Sequence, residues 1–194
     1  MRQWLALLLI WPLTVVAGGA ATDWTLERLM QSLSAVRAVD AHFTEQKQLA
    51  VLQEPLRMSG VLQYRAPAYV KKHTLEPHEE SFEVDEDWLV IENPVEGKRL
   101  FSLSGYPQIR AFVESFRATL AGDSQSLKRY YRVQLQGQAD AWTLRLEPTD
   151  EQMATAISAI VIRGQQARIL SIETLEADGD RSLMTIEPTY ELSR

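Results

Sequence analysis

The chain of 194 residues contains no cysteine, which excludes disulfides, thiolate chemistry, cysteine-ligated zinc and a lipid-modified N-terminal cysteine. Its 26 acidic and 20 basic side chains give a formal net charge of −6, which argues against a nucleic-acid partner because such partners select basic surfaces. The length predicts one domain of ordinary size, which must hold itself together through its core because it has no disulfides.

The first residues have the order of a secretory signal peptide. One positive side chain near the N-terminus precedes the uncharged apolar stretch Trp4 to Val16, and the small residues Ala17 to Ala21 follow. We therefore predict a cleaved signal peptide over residues 1–20 and a single, soluble domain over residues 21–194. An uncleaved membrane anchor is the alternative, although the apolar stretch is short for a bilayer and is interrupted by Pro12.

One helix and two strands are predicted for the first part of the domain. Apolar residues recur at helical spacing over Asp23 to Arg37. From Val39 the hydrophobic period changes to two, which is typical of a strand with one buried face. The alternation resumes over Leu56 to Tyr64, and Pro67 then breaks or bulges the ladder because proline has no N–H to donate.

Short strands and a second helix are predicted for the middle of the chain. The extended segments are Tyr69 to Leu75, two strands around an acidic turn within Ser81 to Glu92, and Lys98 to Leu103. The period of a helix returns over Pro107 to Ala121, where proline suits the first turn and Gly122 suits the end.

Strands dominate the last third, after a short helical segment around Leu127. They are predicted at Tyr131 to Leu135, Trp142 to Leu146, Ile157 to Arg163, Ala167 to Leu175 and Ser182 to Glu187. The turn Ala177 to Asp180 carries a strong hairpin signal. Because one face of most strands is apolar, the sheet must curl, and a closed or half-open barrel covered by helices fits best.

Histidine, carboxylate and serine side chains are present, but their spacing does not match a metal site or a catalytic site. A metal site could be drawn from His73, His78, Glu79 and Glu80, but Pro77 breaks their spacing and no second histidine pair completes a ligand shell. The neighbouring carboxylates alternate with apolar residues, which favours solvent-facing positions over a catalytic pair. No serine lies in a nucleophile-elbow pattern. We therefore expect no metal, no cofactor and no enzyme activity.

Large aromatic side chains are distributed over separate elements of the chain. They are Tyr64, Tyr69, Phe82, Trp88, Phe101, Phe112, Phe116 and Trp142. An ordinary core would account for them, and an apolar cavity lined by some of them would do so equally well. Composition does not separate these two interpretations.

The order of these elements resembles the periplasmic lipoprotein carriers of Gram-negative bacteria, the LolA/LolB-like proteins. The similar segments are "VDAHFTEQKQ", "SGVLQYRAPAYVKK", "FEVDEDWLVIEN", "WTLRLEP" and the later strands, after a signal peptide without a lipobox cysteine. In the family an arginine directly precedes the proline of the break, whereas Ala66 separates Arg65 from Pro67 here. An acidic turn also replaces the usual Trp- and Gly-rich hairpin. These departures indicate a divergent LolA-related branch and leave the cargo open between a lipoprotein, a glycolipid and a polyene-type acyl product.

The resemblance implies an α+β fold, an incomplete antiparallel β-barrel covered by an N-terminal helix and a mid-chain lid helix. It implies a monomeric periplasmic carrier without cofactors or nucleic acid. Such a carrier takes an acylated lipoprotein or lipid from an inner-membrane donor complex and passes it to an outer-membrane acceptor. A lipid- or protein-sensing regulatory module on the same fold is the alternative, and a hydrolase is a more remote one.

The resemblance also assigns roles to particular residues. Pro107 to Ala121 would be the lid, Pro67 would interrupt the edge so that the barrel need not close, and Arg65 would lie near the mouth. The expected cavity or lid residues are Leu62, Tyr64, Arg65, Phe82, Trp88, Phe101, Ile109, Phe112, Phe116, Trp142 and Leu144.

Overall fold

The computed structural model describes residues 24–189, so the predicted signal peptide over residues 1–20 lies outside the described residues. The described chain forms helices α1 (Leu26–Ser34), α2 (Pro107–Ala121), α3 (Ser124–Tyr130) and α4 (Glu151–Ala154). Its strands are β1 (Ala38–Gln48), β2 (Leu56–Arg65), β3 (Tyr69–Glu76), β4 (Glu80–Asp85), β5 (Trp88–Asn93), β6 (Gly97–Ser102), β7 (Tyr131–Gln138), β8 (Ala141–Pro148), β9 (Ile157–Gln165), β10 (Arg168–Glu176) and β11 (Arg181–Pro188).

All eleven strands belong to one antiparallel sheet, in the order β6-β5-β4-β3-β2-β1-β11-β10-β9-β8-β7. The first six strands and the last five each form a meander, and the pairing of β1 with β11 joins the two, from Ala41 opposite Pro188 to Gln48 opposite Arg181. Within residues 24–189, β6 and β7 do not pair with each other, so the sheet is open. The predicted α+β fold with an incomplete antiparallel barrel is therefore confirmed.

The prediction that Pro67 interrupts an open edge is wrong. β2 and β3 flank this proline and pair with each other from Arg65 opposite Tyr69 to Ser59 opposite Glu76, in the interior of the sheet. Pro67 lies in the turn between the two strands, where no ladder hydrogen bond from its nitrogen is needed. The open side of the sheet lies between β6 and β7 instead.

The helix that covers the middle of the fold has the predicted bounds. α2 begins at Pro107 and ends before Gly122, which adopts a left-handed φ of 70° and receives the end of the helix. A Cβ at Gly122 would overlap the main-chain carbonyl oxygen of Met30 in α1, so the close approach of the two helices requires glycine at this point.

The other helices are shorter. α1 starts after Thr25 and ends at Ser34, and the residues predicted as its last turn, 35–37, form the connection to β1 instead. α4 was not predicted from the sequence. It has four residues, and its first turn is capped by the Asp150 side chain, which accepts a hydrogen bond from the Met153 N–H at 2.9 Å.

The helices pack on one face of the sheet, here called the inner face, and bury two groups of apolar residues there. The large core cluster lies between β7–β9 and the helices, and its buried members are Leu29, Met30, Leu33, Ala118, Leu127, Tyr131, Trp142, Leu144, Leu146, Met153, Ile160 and Ile162. The small core cluster consists of Val84, Leu89 and Leu103, with Phe82, Ile91, Phe101 and Val113 packed against them. α2 contributes Ala118 and Phe112 to the large cluster and Val113 to the small one, so this helix bridges the two halves of the fold.

Candidate functional site

The strand registers show which of the predicted binding residues share the inner face. Leu62 lies opposite Ala41 and Lys72, and Tyr64 lies two residues further along β2. Phe82 and Phe101 lie on the same face in β4 and β6 and pack against the small core cluster. These predicted positions are therefore brought together on one side of the sheet.

Trp142 and Leu144 also lie on the inner face, but deep within the large core cluster. The exposed fraction is 2% for Trp142 and 0% for Leu144. The Trp142 indole N–H donates a hydrogen bond of 2.9 Å to the carbonyl oxygen of Gln166. Both side chains thus fill the core in this structure instead of lining open space.

Arg65 and Trp88 lie on the outer face, because each alternates with an inner-face neighbour, Tyr64 and Leu89 respectively. The Arg65 guanidinium binds the Asp40 carboxylate at 2.8 and 2.9 Å. The Trp88 side chain is 49% exposed. Their positions give no support to the expected roles at the mouth or wall of an inner cavity.

The predicted lid residues lie on α2 at differing depths. The rings of Phe112 and Phe116 meet edge to face with their centroids 4.9 Å apart, and both are half-buried. Ile109, one turn earlier, is 41% exposed. The N-terminal half of α2 therefore presents an apolar stripe that is incompletely covered.

The middle of the inner face, between the two core clusters, carries apolar side chains that are only partly buried. We call this surface the central floor, and its half-buried members are Met58, Leu62, Met184 and Ile186 on β2 and β11. They surround the buried ring of Phe43 on β1. An apolar surface that retains partial access to solvent can accept an apolar ligand.

The central floor also contains polar groups that sequence reasoning missed. The Lys72 ammonium and the Ser182 hydroxyl each form a close hydrogen bond with the Glu45 carboxylate, and we call these three residues the floor network. The Lys72 ammonium also lies 5.0 Å from the centroid of the Phe43 ring. The alternation of Val39, Ala41 and Phe43 continues to Glu45, so the period of β1 was a signal that this carboxylate points inward.

Tyr64 adds a further buried polar group to the inner face. Burial raises the pKa of its phenol above the ordinary value, and the charge of Arg37 opposes this shift. Among residues 24–189 its hydroxyl oxygen finds no hydrogen-bond partner. A buried hydroxyl without a partner is unfavourable, so this group is available to a ligand that reaches it.

Two grooves lie away from the central floor, towards the outer face of β7–β10. One of about 300 Å³ has charged residues in its lining, namely Arg145, Arg163 and the buried Glu173. Glu173 is held by Arg163 at 2.9 Å and by Arg181 at 2.7 Å. A second groove of about 350 Å³ lies at the ends of β8 and β9. No residue of the central floor lines either of these two grooves.

Of the side chains considered for a metal site, His73 and Glu79 form a pair. The His73 ring nitrogen Nε2 lies 3.1 Å from the Glu79 carboxylate. Glu176, Asp178 and Asp180 cluster at the β10–β11 turn, where Glu176 pairs with Lys47 at 2.9 Å. Within residues 24–189, no helix is long and apolar enough to cross a membrane.

An open antiparallel sheet whose helices cover one apolar face is a half-barrel of the α+β class. A family model described as outer membrane lipoprotein carrier protein LolA-like matches residues 16–187, and the chain belongs to this family. The family consists generally of periplasmic binding or carrier proteins and not of enzymes. Among curated proteins, none matches the sequence.

Solved structures with a similar chain path include a LolA superfamily protein from Nitrosomonas europaea, with 10% identity, 88% of this chain and 96% of that chain covered, and a TM-score of 0.46. A putative outer membrane lipoprotein-sorting protein domain from Vibrio parahaemolyticus has 11% identity, coverage of 87% and 93%, and a TM-score of 0.46. The MucA/MucB complex of Pseudomonas aeruginosa matches at 14% identity over 83% of this chain and 53% of that chain, with a TM-score of 0.44. Such distant likenesses add nothing to the family assignment.

Proposed function

We propose that the protein is a periplasmic carrier that holds the acyl chains of a lipoprotein or related lipid on the inner face of its sheet. The observation that carries this proposal is the central floor, an apolar and half-buried surface between two core clusters that α2 bridges. The carrier description of the family supports the same role. The predicted signal peptide over residues 1–20 would direct export and then be cleaved.

The physical task of such a carrier is to shield hydrocarbon from water. Burying one methylene group is worth about 0.8 kcal/mol, so a chain of about sixteen carbons costs on the order of 12 kcal/mol to expose. An apolar floor offsets much of this cost. Transfer from an inner-membrane donor to an outer-membrane acceptor then requires only that affinity increases along the route.

α2 is the proposed lid over the floor. In this structure Phe112 packs against the large core cluster and meets Phe116 edge to face, and this half-buried aromatic pair would turn onto the acyl chain in the loaded protein. Leu62, Phe82 and Phe101 would form the wall beneath it, and Tyr64 would contribute its hydroxyl, which has no hydrogen-bond partner within residues 24–189. Opening requires α2 to move relative to the small core cluster, which it contacts through Val113.

The experiment is to express the chain with its own N-terminus, purify it from the periplasm and identify bound lipid by native mass spectrometry and extraction. The protein mass tests cleavage of residues 1–20, and an acylated species bound at one per chain is the expected result. The variant Phe116→Asp should lose the lipid while remaining folded. Val51→Asp is the matched control, because Val51 is fully exposed in the loop between β1 and β2.

Two results would contradict the carrier role. One is a wild-type protein that carries no acylated species and binds none when offered. The other is a stable complex with a protein partner but no lipid transfer, which would indicate a sensing module on the same fold.

A further inference from the structure

The floor network places a charged pair in the middle of an apolar surface. The exposed fraction is 7% for Glu45 and 9% for Ser182. The side chain of Lys72 is 24% exposed. The network spans three strands, since Lys72 lies on β3, Glu45 on β1 and Ser182 on β11. Removing two charges from water is costly, so a surface that served hydrocarbon alone would be better built from apolar residues.

The lysine end of the network is the part that a ligand can reach. An ammonium group has three N–H donors, and the described contacts of Lys72 are Glu45 and the face of the Phe43 ring. A Cβ at Gly60 would lie 2.9 Å from the Phe43 Cε1 atom, so this ring occupies the space above the glycine. The neighbouring apolar residues Leu62 and Met58 are half-buried, which leaves the floor around the ammonium open to a guest.

We propose that the floor network is a polar subsite that takes a neutral hydrogen-bond acceptor of the cargo, an ester or amide carbonyl next to the acyl chain. This inference rests on the proposed carrier function and specifies its ligand. The lysine charge is balanced by Glu45, so the subsite is neutral overall and its carboxylate repels an anionic group. A carbonyl oxygen of the ligand can accept a hydrogen bond from the Lys72 ammonium without adding charge to the subsite. Carbonyl-linked acyl chains are thereby selected over plain hydrocarbon and over free fatty acids.

The test compares ligands of similar length that differ in the polar group near one end of the chain. Dodecane and methyl decanoate both have twelve chain atoms, and decanoate supplies the anion. Each is used to displace the fluorescent apolar probe N-phenyl-1-naphthylamine from the mature protein. The variant is the double substitution Lys72→Met with Glu45→Gln, because removing the lysine alone would leave a buried carboxylate unpaired.

The matched control is Lys71→Met with Glu83→Gln. Lys71 is the chain neighbour of Lys72 on the opposite face of the sheet, and it forms an ion pair of 3.3 Å with Glu83. We expect the inner-face variant to weaken methyl decanoate binding about fivefold, which corresponds to one hydrogen bond, and to leave dodecane binding unchanged or tighter. The outer-face control variant should leave the binding of both ligands unchanged.

Equal losses for dodecane and methyl decanoate would overturn the inference, because the network would then only shape the floor. No loss for either ligand would overturn it as well, while displacement of the probe from the wild type would leave the carrier function intact. A wild type that binds no probe would contradict the carrier function itself. If the double variant does not fold, a measurement on the wild type tests the subsite. The NMR chemical shift of the carbonyl carbon of ¹³C-labelled methyl decanoate should move on binding towards the value of a hydrogen-bonded carbonyl. An unchanged chemical shift would reject the subsite.

Discussion

The Arg117 guanidinium donates a hydrogen bond of 2.7 Å to the main-chain carbonyl oxygen of Glu86, which fastens α2 to the turn between β4 and β5. The same guanidinium nitrogen pairs with Glu114 at 2.9 Å, one turn earlier in the helix. Near the same end, α2 is attached to α1, because Gly122 approaches Met30 closely. An opening movement of α2 away from β4 and β5 therefore has to break the contact with Glu86, in addition to the packing of Val113 on the small core cluster.

Arg117→Gln is expected to release this attachment. The dissociation rate of a bound apolar probe should increase severalfold, because the closed position of α2 loses a hydrogen bond worth about 1 kcal/mol. Stopped-flow fluorescence with N-phenyl-1-naphthylamine measures the rate. Arg28→Gln, which changes an exposed arginine on α1, is the control. Equal rates in the two variants would show that the Glu86 contact does not hold a lid.

Gly60→Ala should destabilise the protein by about 1–3 kcal/mol, the cost of forcing an extra methyl group into a packed site. The added Cβ would overlap the carbonyl oxygen of His73 and lie 2.9 Å from the Phe43 ring. Gly105→Ala is the matched control, because a Cβ there meets no atom within 4 Å. Urea unfolding of both variants measures the difference. If both variants unfold at the same urea concentration, the Phe43 ring is not confined above Gly60.

Local patterns in the sequence predict the helices and strands well. For α2, the hydrophobic period of 3.6 residues, the proline at the start and the glycine after the end predict both boundaries correctly. Local patterns do not predict the pairing of β1 with β11, because these strands are more than a hundred residues apart and their contact is set by the whole sheet. Trp88 was assigned to the inner face because it is large and apolar. The register that puts Phe82, Val84 and Leu89 inward puts Trp88 outward, so alternation outweighs residue type here.

Arg65→Leu is expected to leave probe binding and probe release unchanged. Arg65 lies on the outer face and pairs with Asp40, and both side chains are about half exposed. Exposed ion pairs contribute about 0–1 kcal/mol, so the free energy of unfolding should change little. Asp40→Asn breaks the same pair from the other side and should give the same small change. Slower probe release in Arg65→Leu but not in Asp40→Asn would restore a role for this arginine in cargo transfer.

Asp123 links the stability of α3 to pH. Its side chain caps the helix by accepting hydrogen bonds from the Gln125 N–H at 3.1 Å and the Ser126 N–H at 3.0 Å. Hydrogen bonds with Ser126 are the main cause that holds the pKa of this carboxyl below its ordinary value, and burial opposes them. Because the pKa is lower in the folded state, the stabilisation is fully present above the ordinary value of about 3.9 and is lost as pH falls through the folded-state pKa.

Asp123→Ala should therefore lower the free energy of unfolding by about 1 kcal/mol at pH 7, the usual effect of removing an N-cap. Asp123→Asn should cost less, because asparagine also caps helices but does not titrate in this range. The difference between wild type and Asp123→Asn should be constant above about pH 5 and should shrink in more acidic solution as the wild-type carboxyl is protonated. Urea unfolding at a series of pH values measures it, and a difference that grows towards acidic pH would mean that the cap is not stabilised by its charge.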